Sequence, residues 1–355
     1  MAYSWEYDIV KILEEMELEL VRAYRAHISK GIDDDVVVWK RKQIANISKF
    51  KRESRDIVKH YIDLLNDKTS AGIWEEYRKG SLKIFSRLSA PGDEINLHID
   101  NKRMSALMNA VHHDMAKACN SALRKANDVY RANIFRAAVN FNSGTLTLHQ
   151  AIDMASAQFL DKGLDSIQYK NGNKVDICSY TEMALRTNGH RAQVIGESQQ
   201  AQDYNVHTCY VSSHGVTCAG CAEYENEWLI DDVYGNGKPD GSHRMLSEAI
   251  AGGLFHPNCR HSLIYGVEDE TKTYSKKTYT DEDAEKYNNQ QHQRKLERDI
   301  RKERRKAAGS CDPATIKEHN EKIKEKQKEL REFIKDKPYL TRQRERESSM
   351  TAPIT

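Results

Sequence analysis

Helix breakers are scarce in the first part of the chain. Of eighteen glycines, four precede residue 140 (Gly31, Gly72, Gly80 and Gly92), and Pro91 is the only proline before Pro239. A stretch so poor in such residues is not a series of short strands and turns; it favours long helices. Core material is also thin, with 39% apolar against 30% charged residues, so extended or partner-dependent parts are expected. No apolar run approaches the roughly 20 residues that a membrane-spanning helix needs. The opening residues, Met1 to Asp8, hold neither a basic n-region nor an apolar h-region, so no signal peptide is expected. A net charge of +2 over 355 residues argues against the whole chain being a dedicated nucleic-acid binder. Seven cysteines is an odd number, and five of them fall late, at Cys209, Cys218, Cys221, Cys259 and Cys311. That is not the regular framework of a small secreted domain, and it points to a reducing compartment with metal binding.

What the chain does contain is apolar stripes at helical spacing. Ile9, Leu13, Met16, Leu20, Tyr24 and His27 recur at three- and four-residue steps. After a turn at Asp33 to Asp35, Val38 to Leu65 repeats the pattern through Ile44, Ile47, Ile57, Tyr61 and Leu65, and Ile73 to Leu88 forms a third helix. Ala90-Pro91-Gly92 is a break. A long helix from about Asp100 to Val139 steps through Met104, Leu107, Val111, Met115, Ala118 and Ala122. These stripes read as bundle core. His112 and His113 are adjacent on a helix, face different ways and make no joint metal site. The expected fold is mainly α with an α+β core. A helical domain spans 1–144, a Cys/His-rich α+β core 145–268, a charged helical hairpin 269–340 and a flexible terminus 341–355.

In the core segment, Thr147 reads as a helix cap before Leu148 to Leu160. The alternation around Asn171-Gly172 is a hairpin signature. Ser179 to Glu182 has the capping-box pattern of a helix running from Tyr180 to about Gln202. Val206 to Val211, Trp228 to Ile230 and Leu263 to Tyr265 read as strands. In the tail, Arg294 to Lys306 holds eight basic and three acidic residues. Asp312-Pro313 is a helix start, and Ile316, Ile323, Leu330, Phe333 and Ile334 form a thin stripe. Such a stripe needs a hairpin partner, expected at Tyr287 to Ala308, or another protein.

The strongest chemical signal lies between His207 and His261, where four cysteines and five histidines crowd together. Cys218-Ala-Gly-Cys221 and His256-Pro-Asn-Cys259 are two short pairs of borderline-soft ligands, which is what a tetrahedral zinc site requires. Pro257 would stiffen the second pair. The expected set is Cys218, Cys221, His256 and Cys259, a closed Cys3His site and therefore structural zinc. His261 and Cys209 are spare donors that could take the place of His256, with His214 weaker. A hydrolytic alternative uses His256, Asn258 and His261, in a loose echo of His-Asn-His nucleases. No acidic cluster accompanies it, and the order of elements is wrong.

Three strings carry a family resemblance: the helix Ser179-Tyr-Thr-Glu-Met-Ala-Leu-Arg-Thr-Asn188 with Arg191, then Val211-Ser-Ser-His214-Gly-Val-Thr-Cys218-Ala-Gly-Cys221, then Ala251-Gly-Gly-Leu-Phe-His256-Pro-Asn-Cys-Arg-His261. The charged tail, with Arg294 to Arg301 and Leu340 to Arg344, adds a looser likeness. On these residues the chain resembles the phage minor capsid protein 2 family, relatives of the phage head morphogenesis proteins, over about residues 175 to 346. One departure is Glu225-Asn226-Glu227, where the family has Trp/Gln-Gly. The resemblance implies a non-enzymatic virion component of a tailed bacteriophage, assembled in the host cytoplasm. Its implied place is at the portal vertex or inside the head, serving assembly, packaging or delivery. The implied partners are the portal or major capsid protein. The basic run Arg294 to Lys306 also suits packaged DNA, unless it is a solvated face or pairs with acids in a hairpin.

Overall fold

Few breakers and long apolar periods do produce long helices. The computed structural model describes residues 5–342 apart from 96, 98, 143–145, 163–166, 169–173, 176, 257–258 and 269–278, together with 344 and 347. Helix α1 is Trp5–Ile28, α2 Val36–Leu88, α3 Asn101–Asn142, α4 Leu148–Lys162 and α5 Ile177–Asp203. The helices expected at Val38 to Leu65 and Ile73 to Leu88 are one continuous helix of 53 residues. Nothing between Asn66 and Gly72 removes an amide donor, and a lone glycine costs only about 1 kcal/mol. The fold is mainly α with a small α+β core.

The chain divides into two compact units. The first comprises Met1–Asn66, Asp114–Glu182 and His292–Thr355; the second comprises Asp67–His113 and Met183–Gln291. In the first unit the α1 stripe predicted from Ile9 to His27 is buried throughout. The stripe expected in α2 is buried at Tyr61 and Leu65 but displaced in the first half of the segment. Ile44 is 45% exposed, whereas Trp39, Gln43, Phe50, Ser54, Val58 and Leu65 face inward. The reason is a polar core position. Gln43 Nε2 donates to Lys30 O at 2.7 Å and its Oε1 accepts from Tyr130 Oη at 2.8 Å, so a fully satisfied amide occupies the face that a hydrophobicity pattern assigns elsewhere. Around it Phe50 stacks on Tyr130 at 4.3 Å, and Tyr24 meets Tyr130 and Phe159 edge-on. Tyr24 Oη bonds Ser156 Oγ and accepts from Asn133 Nδ2.

Helix α4 is capped as expected: Gln150 N donates to Thr147 Oγ1 at 3.2 Å, and Gln150 Oε1 accepts from Thr147 N at 3.1 Å. The hairpin pairs β1 (Ile167–Gln168) with β2 (Lys174–Val175) in antiparallel register; its Asn171-Gly172 turn lies outside the described residues. Ser179 is not a cap, because α5 begins at Ile177, a residue buried at the helix start. In the tail, α8 (Asp281–Gly309) and α9 (Pro313–Ile334) form the predicted hairpin. Asp312 caps α9 by accepting from Thr315 N at 3.0 Å. Leu330, Ile323, Phe333 and Ile334 pack on Leu296 and Ile300. The expectation of a mobile 341–355 falls mostly outside the described residues, though Glu347 is buried and pairs with Arg342.

The second unit holds a four-stranded sheet. Its strands are β3 (Thr208–Val211), β4 (Trp228–Ile230), β5 (Arg244–Met245) and β6 (Leu263–Tyr265), in the order β5-β4-β3-β6. Strand β3 pairs antiparallel with β4 and β6, and β5 lies parallel to β4. Helices α2 and α5 meet so closely in this unit that a Cβ on Gly80 would strike Gln193 O and one on Gly196 would strike Tyr77 O. Above that contact Glu197, buried, accepts from Lys83 Nζ at 2.7 Å and Gln193 Nε2 at 2.8 Å. Burial raises the Glu197 pKa despite Lys83. A carboxyl with a raised folded pKa destabilises the fold once pH passes its unfolded value, and the penalty is absent below that value. Glu197→Gln is therefore expected to gain stability over wild type between pH 4 and pH 7. Urea unfolding at both pH values checks this; equal differences at both would refute it.

Candidate metal centre

The antiparallel register of β3 and β6 places Val211 opposite Leu263. The chain leaving β3 and the chain entering β6 therefore meet at the same end of the sheet. The pairing continues past the strands: Ser212 N donates to Ser262 O at 2.9 Å, and Ser262 N to Ser212 Oγ at 2.8 Å. The first loop closes on the short helix α6 (Ala219–Ala222), where Cys221 N and Ala222 N both donate to Cys218 O. That turn presents both sulfurs of the Cys-x2-Cys pair.

The second loop follows helix α7 (Leu246–Ala251). Gly253 adopts φ +119° and Phe255 φ +60°, a left-handed bend that glycine takes freely and phenylalanine only when its surroundings enforce it. Leu254, buried between them, anchors the bend in the core formed by Cys209, Val211, Tyr224, Leu229 and Leu263. Cys259 N then donates to His256 O at 2.9 Å. Pro257 and Asn258 lie outside the described residues, so the stiffening expected of the proline and the part expected of the asparagine lie there too.

The two loops bring the predicted residues together. Cys218 Sγ lies 3.0 Å from His256 Nε2, and Cys221 Sγ lies 3.6 Å from Cys259 Sγ. The donors of Cys218, Cys221 and His256 are all within 4.8 Å of one another, as are those of Cys221, Cys259 and His261. Of the spare donors, His261 is adjacent, its Nδ1 3.3 Å from Cys259 Sγ. Cys209 is not: it sits in the sheet core with its thiol against Leu229 O. Cys119, Cys209, Cys218, Cys221, Cys259 and Cys311 are free thiols.

Two residues were not singled out from sequence. Glu225 is fully buried, and its Oε1 lies 2.7 Å from His261 Nε2. It belongs to the stretch where the chain departs from the family pattern, and with Glu223 and Glu227 on either side nothing in the sequence marks it as the buried one. His190, on α5, packs its ring 4.8 Å from Phe255, and burial holds its pKa low. His214 completes a third donor group with Glu225 and His261, its ring 4.4 Å from the His261 ring.

The electrostatics run along this chain of partners. In the Cys221–Cys259 pair the Cys221 thiol donates, which pulls Cys259 down to about 3 and drives Cys221 up. Burial lowers the His261 ring, but Cys259 on one nitrogen and Glu225 on the other outweigh it, and the net shift is upward. Burial brings His214 down to about 4. The arrangement can concentrate negative charge on sulfur, as a soft cation requires.

The basic run of α8 takes a different form. Arg301 pairs with Glu14 at 3.4 Å and Arg305 with Glu17 at 3.3 Å. Lys302 and Lys306 share Asp161 at 2.9 and 2.8 Å. Half of the eight basic residues are thus committed to acids of the first unit. That part of the run is an internally paired face, and the acids come from α1 and α4 rather than from the hairpin partner α9.

The phage minor capsid protein 2 family model matches residues 3–335. A curated relative named "Structural protein", from Lactococcus phage LL-H, is 22% identical over 365 residues, covering 96% of this chain and 98% of its own length. No solved structure matches.

Removing the Glu225 carboxylate would strand the buried His261 ring. Glu225→Ala is expected to lower unfolding free energy by about 3 kcal/mol, the scale for breaking a buried pair from one side. Denaturant unfolding measures it; a change near that of a surface substitution would rule out the structural role given to Glu225.

Proposed function

The chain belongs to the phage minor capsid protein 2 family, and from that membership we propose that it is a structural component of a tailed-phage virion, acting in the head or at the portal vertex. The observation that carries the reading is the match over residues 3–335, with a relative of like length named as structural. The work proposed for it is head assembly, DNA packaging or delivery. The proposed partners are the portal or major capsid protein, and packaged DNA. The proposed location is the virion, after assembly in the host cytoplasm.

Within that role the second unit is a zinc-stabilised core. The ligand types fit the ion, with the donors standing as two trios, Cys218–Cys221–His256 and Cys221–Cys259–His261, that share Cys221. Donors around a tetrahedral zinc with Zn–S bonds of about 2.3 Å stand roughly 3.8 Å apart, and the Cys221–Cys259 separation is 3.6 Å. Cys218, Cys221, His256 and Cys259 would hold it. His261 stands behind Cys259, directed by Glu225, as residues that support a metal ligand do. Bound zinc would supply a cross-link between two loops in a chain with little apolar core, adding to folding free energy directly.

The geometry disfavours the hydrolase alternative. His256 faces Cys218, and His261 is held between Cys259 and Glu225. The His214–Glu225–His261 group has nearer the makings of a cation site, but Glu225 and His261 are buried, closed to a phosphodiester substrate.

Two measurements test the reading. Elemental analysis of purified protein is expected to give about one zinc per chain, lost in Cys218→Ser/Cys221→Ser. That variant should melt at least roughly 5 °C lower, since each kcal/mol shifts Tm by about 2–4 °C for a unit of roughly 150–250 residues. Zinc-free wild type with an unchanged variant melting curve would remove the metal. Separately, the chain should co-sediment with assembled heads; its absence from purified particles would overturn the virion role while leaving the metal question intact.

A further inference from the structure

The end of the charged tail builds a cavity that the pairing along α8 does not explain. It has a volume of about 340 Å³ and is lined by Arg304 from α8, Gln327 and Arg331 from α9, and Arg342, Arg344 and Glu347 from the following segment. Four guanidinium groups thus face one carboxylate. Glu347, 2% exposed, is already matched: it takes Arg342 as a two-pronged fork, with Nε–Oε1 at 2.5 Å and Nη2–Oε2 at 2.6 Å, and accepts from Gln327 Nε2 at 3.1 Å. That internal carboxylate neutralises one arginine and fixes the wall.

Arg304 and Arg331 have no acidic partner among the described residues, and the Nε of Arg304 is buried without a hydrogen-bond partner. Arg305 on the same helix also buries an unmatched Nε, but it and Arg301 have the carboxylates Glu17 and Glu14, and the contrast lies in those acidic partners. A buried guanidinium donor left unmatched is costly, so the fold retains a charge that a solvated or internally paired face would not need. Guanidinium forks converging on a cavity match a tetrahedral oxyanion, because planar paired donors meet two oxygens at once. The volume falls at the low end for small-ligand sites and admits more than a bare anion.

We propose that this cavity is a phosphate-binding site, with Arg304 and Arg331 as its free donors, and that a phosphodiester of a nucleic-acid backbone fills it. Inorganic phosphate shares that chemistry and is the second source. The inference rests on the virion reading only for the choice of DNA. It moves any DNA contact away from the run Arg294 to Lys306 as a whole and onto one position of it, joined by arginines from α9 and beyond.

The test uses the purified full-length chain and a fluorescein-labelled DNA duplex, with anisotropy followed over a salt series. Arg304→Gln/Arg331→Gln is expected to weaken binding at low salt by tenfold or more, and to reduce the slope of log affinity against log salt by about 2, one for each phosphate contact. Lys322→Gln/Lys328→Gln removes equal charge from exposed positions of α9 and should leave the slope nearly unchanged. Arg304→Lys/Arg331→Lys guards against misfolding: it should keep the slope and lose affinity, since it retains charge without the fork. A parallel arm follows melting with inorganic phosphate. Phosphate protection of wild type but not of the glutamine variant, with DNA binding equal in both, assigns the same site to free phosphate. Equal DNA binding in both with no phosphate protection, or an equal fall in the lysine control, overturns the proposal. Neither result bears on co-sedimentation with heads, so failure here is separable from failure of the virion role.

Discussion

The pairing of β3 with β6 is the constraint on which the second unit depends. Cys221 and Cys259 are 38 residues apart, and closing a loop of that length costs conformational entropy that a sulfur contact alone would not offset. The register that sets Val211 against Leu263 carries that cost through backbone bonds and core burial instead. Once the strands are paired, the two loops emerge side by side, and the Ser212–Ser262 bonds extend the alignment toward the cysteines. A one-residue slip in this sheet would turn the inward residues outward and shift the second loop against the first. Core packing and the sulfur–imidazole junction are therefore one structural fact, joined at Cys221, which belongs to both.

Burying thiols and imidazoles is unfavourable unless each finds a partner. Here the partners form a continuous path: Cys221 to Cys259, Cys259 to His261, His261 to Glu225. Glu225 ends the path, and its Oε2 is buried without a partner among the described residues. A carboxylate kept in such a place holds the His261 ring in one orientation, the usual way a histidine beside a thiolate site is positioned.

Much of this was legible in the chain, and the failures have physical causes. The two Cys/His pairs could be read as local neighbours because the spacing Cys-x2-Cys and His-x2-Cys encodes a single turn. Glu225 could not, because its role is defined by His261, 36 residues away. The α1 stripe could be read because apolar residues dominate its buried side, although Glu14, Glu17 and His27 are buried with them. The first half of the α2 stripe was misplaced because Gln43 and Ser54, both fully buried, carry no hydrophobic signal, whereas Tyr61 and Leu65 are buried as read. Composition marks segments along a chain, whereas a compact unit is defined by contact. That α1, parts of α2 and α3, and the C-terminal hairpin contribute to one unit has no signature in any single window of sequence.

The basic helix makes the same point for charge. A run of like charges in sequence is a statement about composition, but a field outside the protein depends on which charges lack a partner. Arg301, Lys302, Arg305 and Lys306 recur at helical spacing, so they share a side of α8, and that side meets Glu14, Glu17 and Asp161. Two of the pairs, Arg301–Glu14 and Arg305–Glu17, are largely removed from solvent, where an arginine's planar donors tolerate burial better than a lysine's compact, strongly hydrated ammonium. Lysine occupies the two positions that reach the half-exposed Asp161. The choice of cation thus follows the degree of burial. Arg304 lies on a different side of the helix from this paired row and meets other arginines and one carboxylate, Glu347, already matched to Arg342. What α8 offers to an anion is set by rotation about its axis, not by its total charge.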